Sequence, residues 1–387
     1  EYAMKLIHLS DLHLGRSLCE FSLIDVQRAF LQDVLTYIDE HAVDAVLICG
    51  DVYDRTAPPA AAIMLLNEFL SGLNARSIPV LMISGNHDSP ERLAFLSDLL
   101  TKSRVYIAGN YALGAPPVTL KDAHGPVNFY LLPFFRPGAI RAQLPDETIA
   151  GYDDAIAQAV SHMNVDASQR NVLLAHQFVC APGQAAERSD SEMLFAGGTE
   201  QVSSTHFDAF DYVALGHLHR AQRVGRETVR YAGAPLHYAL SEAGDKKSFT
   251  VVELGAKGEV SCEQVPVRPL RALRPLRGTL AELLSAPCDR PNDFYSVTLT
   301  DTEAVYDAMR RLRARYPFTV HVKMERDQSP AAGALTSLPA SGKQDLLTLF
   351  EGFFEETAGR ALTEREREEI VLALKQDGEE EESPCDR

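Results

Sequence analysis

Five short apolar runs in this sequence end in side chains that hold metals or move protons. Leu9-Ser10 leads into Asp11-Leu12-His13, and Cys49-Gly50 into Asp51, with Asp54 three residues on. Ile83-Ser84-Gly85 leads into Asn86-His87-Asp88, Leu174-Ala175 into His176, and Leu215-Gly216 into His217-Leu218-His219. Taken singly, each is weak: an Asp-x-His after a strand is common, and one histidine is more often a satisfied core residue than a ligand. Taken together, they place five of the twelve histidines, four aspartates and an asparagine at the ends of strand-like runs. Carboxylate, imidazole and amide oxygen without thiolate suit divalent ions such as Mn²⁺ or Fe²⁺ better than a structural zinc. Seven ligands exceed the needs of one four-coordinate ion and match two ions that share a carboxylate. Such a pair clamps a phosphate and acidifies water, so the expected chemistry is phosphoester hydrolysis. No Walker loop and no GxGxxG fingerprint competes for that role.

The elements that must position these residues follow from periodicity. Apolar runs at Leu6–Leu9, Ala45–Cys49, Val80–Ile83, Asn128–Leu132, Val172–Leu174 and Tyr212–Leu215 predict buried strands. Between them, Val26, Phe30, Val34 and Ile38 mark one buried helical face, and Ile63, Leu66, Leu70 and Leu73 another. Strands alternating with helices predict an α/β layered domain whose chemistry sits at the strand ends, here along one edge of one sheet. Gly50, Gly85 and Gly216 are expected to supply the tight turns that aim the ligands inward. Runs at Val229–Tyr231 and Ser248–Leu254 suggest that the sheet finishes antiparallel.

Beyond about residue 265 the pattern changes. "PVRPLRALRPLRG", residues 266 to 278, carries prolines and Arg268, Arg271, Arg274 and Arg277 at every third position, and reads as a solvated linker, with a phosphate-contacting strip as the second reading. A small βαβ unit follows, with strands at Phe294–Thr300 and Thr319–Met324 around a helix from about Asp301 to Arg315. Residues 327–343 are rich in Ala, Ser, Gly and Pro and read as a flexible tether. After it, Leu346, Leu347, Phe350, Phe353 and Phe354 form an apolar stripe, and Thr363 with Glu366 makes a capping box ahead of Ile370, Val371 and Leu374. Helices with so little polypeptide to cover them predict a docking site for a partner. Residues 377–387 read as an acidic tail.

Bulk properties narrow the class. The 387 residues allow two or three domains, and 45% hydrophobic with 24% charged is ordinary for a globular protein. No apolar run approaches the roughly 18 residues of a membrane span and no signal-peptide pattern stands at the start, so a cytoplasmic protein without a membrane partner is expected. Six scattered cysteines without a CxxC pair read as reduced thiols. A formal charge of −17 argues against a nucleic-acid coat protein. It leaves room for a nucleic-acid enzyme whose metals or partner supply the positive charge.

In order and spacing, "SDLHLG", "GDVYD", "GNHDSP", "AHQF" and "GHLH" resemble the five motifs of the calcineurin-like metallophosphoesterases. The stretches "IHLSDLHLGRSL", "SGNHDSPERL", "FDYVALGHLHRAQ" and "YAGAPLHYALSEAGDKKSF" are similar, within that superfamily, to the bacterial SbcD nuclease subunits, relatives of the Mre-type double-strand-break nucleases. "NDFYSVTLTD" resembles their capping domain and "LFEGFFEETAGRALTEREREEI" their SbcC-binding helices. The resemblance implies a layered metallophosphoesterase sandwich over 4–265, an α+β capping domain over 266–326, the linker 327–343, and partner-binding helices over 344–376. It implies two divalent ions, preferably Mn²⁺. Asp11, His13 and His219 would hold one, Asn86, His176 and His217 the other, and Asp51 would bridge. His87 would serve the scissile phosphate and leaving oxygen, with Asp54 or Asp88 as its orienting carboxylate. The implied activity is exonucleolytic cleavage of duplex DNA ends and endonucleolytic cutting of hairpins, in repair, recombination and replication. The implied partners are an SbcC-type coiled-coil ATPase and a second copy of the chain, met through the helices after Asp54 and His87. Two rival readings remain at this stage: a phosphatase or phosphodiesterase for a small or protein substrate, and an inert scaffold that recruits the ATPase to DNA. Neither small-substrate enzyme has need of the second domain and tethered helices, and a vestigial site has no need of every ligand.

Overall fold

The computed structural model describes residues 3–183, 200–303 and 305–325, together with Thr363 and Arg367. Residues Glu1–Glu325 form one compact unit and Arg326–Arg387 a second. The expected linker, the stripe from Leu346 to Phe354, nearly all of the capping-box helix and the acidic tail lie outside the described residues.

The first unit is built on two stacked six-stranded sheets. One has the order Val260–Pro266, Ser248–Leu254, Met4–Leu9, Ala45–Cys49, Val80–Ile83, Val105–Ala108. The other has the order Gln222–Val224, Arg226–Tyr231, Tyr212–Gly216, Arg170–His176, Gly125–Leu132, Val118–Asp122. Side chains alternate across a strand, so each central strand feeds two cores. In the first sheet Leu6, Ala45, Leu47, Cys49, Leu81 and Ile83 face Val127, Phe129, Val172, Leu174, Tyr212 and Ala214 of the second. The intervening Ile7, Leu9, Val46 and Ile48 turn outward under the helices Ile24–Glu40 and Ala60–Ala75. Strands buried on both faces are apolar throughout, which is why the runs were plain in the sequence.

Helix Ile24–Glu40 buries Val26, Phe30, Val34 and Ile38 as the spacing predicts. Helix Ala60–Ala75 buries Ala62, Leu65, Leu66, Phe69 and Leu73, while Ile63 is 49% and Met64 62% exposed. This helix is apolar on two faces, and periodicity cannot say which of them meets the core.

Three expectations need correction. The strand Arg226–Tyr231 finishes its sheet antiparallel only on its outer side, against Gln222–Val224, and runs parallel to Tyr212–Gly216 on the inner side, whereas Ser248–Leu254 is antiparallel to both Met4–Leu9 and Val260–Pro266. The ends that carry the candidate ligands belong to two sheets rather than one. Finally, the arginine-rich segment is not a linker throughout, because Leu273–Gly278 pairs in parallel with Phe294–Leu299, which pairs in parallel with Thr319–Met324. Pro275 is tolerated there because the strand lies at the sheet edge. Three of the four arginines face partners within the chain: Arg274 pairs with Asp293, Arg277 with Glu325, and Arg271 lies over the Phe318 ring.

Helices Leu280–Ser285, with Thr279 and Glu282 in a capping box, and Ala308–Arg313 cover this small sheet through Leu283, Val297, Leu299 and Leu312. Phe294 and Phe318 pack on Phe21, in the hairpin that follows the first ligand loop.

Candidate metal centre

The first sheet delivers its ligands on loops that are tied to one another. After Leu9 the chain crosses the end of the neighbouring strand, with Asp11 N–H donating to Gly50 O, His13 N–H to Asp51 O and Leu14 N–H to Val52 O. Gln27, buried on the first helix, clamps the same loop by donating to His13 O at 2.7 Å and accepting from Gly15 N–H at 3.0 Å. Asp11, His13, Asp51 and His217 have φ of 52°, 41°, 48° and 107°. That conformation costs a non-glycine residue roughly 1–3 kcal/mol and persists only where the surroundings impose it. The ligands themselves therefore make most of the tight turns expected of glycine. Gly85 and Gly216 serve close approach instead: a Cβ on Gly85 would fall 2.1 Å from Asp51 Oδ1, and one on Gly216 would fall 1.9 Å from Cys49 O.

The seven expected ligands converge. Asn86 Oδ1 lies 3.0 Å from both His176 Nε2 and His217 Nδ1. His13 Nε2 is 3.1 Å from His219 Nε2, and ligand atoms of Asp11, His13 and His219 all lie within 4.8 Å of one another. The same limit holds for Asp11, Asp51 and His176. Asp51 Oδ2 stands between the groups, 3.7 Å from His13 Nε2 and 3.4 Å from His176 Nε2. His87 joins from the side, its ring edge-on to His13 at 4.8 Å between centroids.

The orienting partner of His87 is not the one expected. Its Nδ1 lies 2.9 Å from the main-chain oxygen of Asp54, and its own N–H donates to Asp51 Oδ1 at 2.9 Å. The Asp54 carboxylate instead pairs with Arg16 at 2.9 Å and stands 3.6 Å from His13 Nδ1. Asp88 is a loop organiser: its carboxylate accepts from the N–H groups of Val52, Tyr53 and Gly85 at 2.9–3.1 Å. Those three bonds occupy both of its oxygens and tie the loop that carries Asp51 to the one that carries Asn86.

Sequence reasoning missed Glu242. Its fully buried carboxylate lies 3.5 Å from His219 Nδ1 and accepts from Lys247 Nζ at 2.8 Å and Tyr238 N–H at 3.0 Å. A lone acid in a turn 23 residues after His219 gives no periodic signal, although Glu242 and Lys247 both fall in the stretch "YAGAPLHYALSEAGDKKSF".

Charge in this cluster is strongly displaced. Burial raises the Asp11 carboxyl. Burial also pushes Asp51 up, but His176, His13 and His87 around it win and hold it well below the carboxylate range. Burial works against a charge on His176 too, yet Asp51 draws it up to about 9, whereas burial and neighbouring His176 bring His217 down to about 3. His8, on the strand but outside the centre, bonds Tyr212 and Leu215 and is pushed down to about 3 by burial, which makes it a structural histidine.

A divalent cation fits these residues. Asp11 and Asp51 are buried without a lysine or arginine ion pair among the described residues, His13 Nδ1 has no hydrogen-bond partner, and one amide oxygen meets two ring nitrogens. Oxygen and imidazole donors of this kind suit a divalent ion better than they suit a self-sufficient hydrogen-bond network.

Residues 4–221, which carry all of these candidate ligands, match the calcineurin-like phosphoesterase family. The chain belongs to that family. Residues 266–358 of the phosphoesterase match a second family, SbcD_C, described as the type 5 capsule protein repressor C-terminal domain. The phosphoesterase is 28% identical over 380 residues to the SbcD subunit of nuclease SbcCD from Staphylococcus epidermidis, covering 96% of this chain and 98% of that protein. The SbcD resemblance carried by the motifs is thus borne out along nearly the whole chain. Two solved structures overlay more loosely. A dimetal phosphatase from Danio rerio is 13% identical with a TM-score of 0.42, covering 70% of this chain and 98% of that one. A Thermus thermophilus protein is 15% identical with a TM-score of 0.39, covering 69% of this chain and 100% of that one.

Proposed function

We propose that this phosphoesterase is the nuclease subunit of an SbcCD-type complex, cleaving DNA phosphodiesters with two divalent ions, manganese foremost. The observation that carries the reading is the convergence of six further oxygen and imidazole ligands from two sheets around Asp51, with His87 anchored beside them. Asp11, His13 and His219 would hold one ion and Asn86, His176 and His217 the other, with Asp51 shared. The ions, when bound, acidify water and neutralise the charge that builds on the phosphate.

The chain's own residues do the rest. The carbonyl of Asp54 can only accept, so it keeps the proton of neutral His87 on Nδ1 and leaves Nε2 free. Once Nε2 takes up a proton, His87 can donate it in a hydrogen bond to the phosphate and pass it to the departing sugar oxygen. Asp51 sets the height of that ring by accepting from the His87 N–H while facing the ligand histidines.

The reading extends to exonuclease action on duplex ends, endonuclease action on hairpins, and service in DNA repair, recombination and replication; the likeness to an SbcCD nuclease supports its nuclease core. The same likeness supports an SbcC-type ATPase as partner, and residues 344–376 are its proposed docking segment. Free Cys19, Cys49, Cys180, Cys262 and Cys288 suit a reducing cytoplasm, and no described helix is long and apolar enough to cross a membrane. A homodimer is supported by an exposed apolar face after Asp54 and His87: Ile63, Met64, Phe95, Leu96 and Leu99 are 49–70% exposed. Patches of this kind mark protein contacts.

The test is Mn²⁺-dependent degradation of an end-labelled duplex and a hairpin, with Asp51→Asn as control and a chromogenic phosphodiester alongside. Loss of DNA that disappears in the variant supports the nuclease. Turnover of the small ester with both DNAs intact, even with the ATPase and ATP supplied, would replace it with a small-substrate phosphodiesterase.

A further inference from the structure

Beside His219 lies a buried ion pair, Glu242 with Lys247, that the proposed chemistry does not use. The turn Leu240–Glu242 turns the Glu242 carboxylate back to His219 Nδ1 at 3.5 Å. Its other oxygen, Oε2, accepts from Lys247 Nζ at 2.8 Å and from Tyr238 N–H at 3.0 Å. Lys247 Nζ also reaches the main-chain oxygen of His219 at 3.5 Å. Glu242 and Lys247 are 0% and 6% exposed. A buried ion pair is costly unless fully satisfied and is weak evidence for stability alone, so its placement asks for another reason.

We infer that Glu242 is a positioning residue, whose carboxylate, locked by Lys247 and Tyr238, fixes the His219 proton on Nδ1 and leaves Nε2 open toward Asp11 and His13. An ionised carboxylate only accepts, so the imidazole nitrogen that faces it must carry the proton. The other nitrogen then presents a lone pair, and it stands 3.1 Å from His13 Nε2 within the cluster that includes Asp11. Partners of this kind, one step behind a ligating histidine, set its tautomer and ring angle. The inference rests on the proposed metal site for its consequence, though the proton position can be read without any metal.

Glu242→Gln is the sharpest probe, because the surroundings dictate how the amide sits. Lys247 and Tyr238 both donate toward the Oε2 position, so the amide oxygen must take that place. The amide NH₂ then faces His219 Nδ1, which has to accept, and the ring proton moves to Nε2. The side chain keeps its size, yet the lone pair offered to a metal is lost.

The experiment uses the full chain, metal-free, with ¹⁵N-labelled histidine, and assigns His219 by the resonance lost in His219→Asn. In the native chain the proton should sit on Nδ1, and in Glu242→Gln on Nε2. Equilibrium dialysis of Mn²⁺ should then show one of the two ions binding about 10- to 100-fold more weakly in the variant, with the other unchanged. A native His219 protonated on Nε2, or a folded Glu242→Gln chain that holds both ions as tightly as the native one, overturns the inference. Should Glu242→Gln fail to fold, the tautomer of the native chain decides alone. A native chain that binds fewer than two ions contradicts the proposed function, while the proton on His219 still decides the role of Glu242.

Discussion

The two sheets hold their halves of the centre differently. The first brings Asp11, His13, Asp51 and Asn86 on neighbouring loops laced by main-chain hydrogen bonds and by the Asp88 carboxylate. The second brings His176, His217 and His219 on or just past two strand ends, and each of these is held from across the seam. His176 Nδ1 bonds Cys49 O at 2.8 Å, His217 N–H donates to the Asp11 carboxylate at 3.1 Å, and His219 meets Glu242, on the segment leading to first-sheet strand Ser248–Leu254. The first half is organised within one sheet, while the second half acquires its order only when the sheets stack. Metal binding and sheet packing are therefore linked, and ions that bind only the stacked state stabilise it by mass action.

Substitutions that break the seam should cost most. Asp51→Asn removes the carboxylate facing both groups of ligands, and phosphodiester turnover should fall by about three powers of ten or more, which a chromogenic diester assay reads directly. His87→Gln leaves the seam intact. Its kcat should drop about 10²- to 10⁴-fold while dialysis finds the same number of bound ions, and a loss of ions instead would make His87 a ligand.

The first sheet's lacing is tested by Asp88→Ala, which strands three backbone donors. Urea unfolding should show roughly 3 kcal/mol less stability, and an unchanged midpoint would mean that the loops hold without Asp88.

The second sheet offers a smaller, pH-dependent effect at its edge, where Arg170 pairs with Asp122 and both side chains are nearly buried. Burial pushes the Asp122 carboxyl up, but hydrogen bonds from Arg170 and the His124 N–H outweigh it and hold it below the usual range. A carboxyl lowered on folding stabilises above its unfolded value, and the gain disappears as pH falls through the folded value. Native and Asp122→Asn chains should thus differ in urea stability at neutral pH and converge as pH falls below the usual carboxylate range. A difference that persists undiminished in acid would show that the pair acts through packing rather than charge.

Much of the centre was legible because apolar runs end directly in ligand-type residues, which needs no knowledge of long-range pairing. The division between two sheets was hidden for the same reason: strands buried on both faces look alike whichever sheet they join. Glu242, Lys247 and Gln27 were illegible because their contacts depend on tertiary packing and leave no period. Asp54 shows a further limit, since its main-chain oxygen rather than its side chain meets His87, and a carbonyl has no letter in the sequence. In the small domain, three-residue spacing of arginine masked the strand Leu273–Gly278, where alternate residues matter and Pro275 discourages the assignment.

The most direct test of the account is the number of Mn²⁺ ions bound by the purified chain at equilibrium, native against Asp51→Asn. Two ions per native chain, with both weakened when Asp51 is altered, is the predicted result. One ion or none in the native chain, or two that ignore the loss of the Asp51 carboxylate, would contradict a shared two-metal centre.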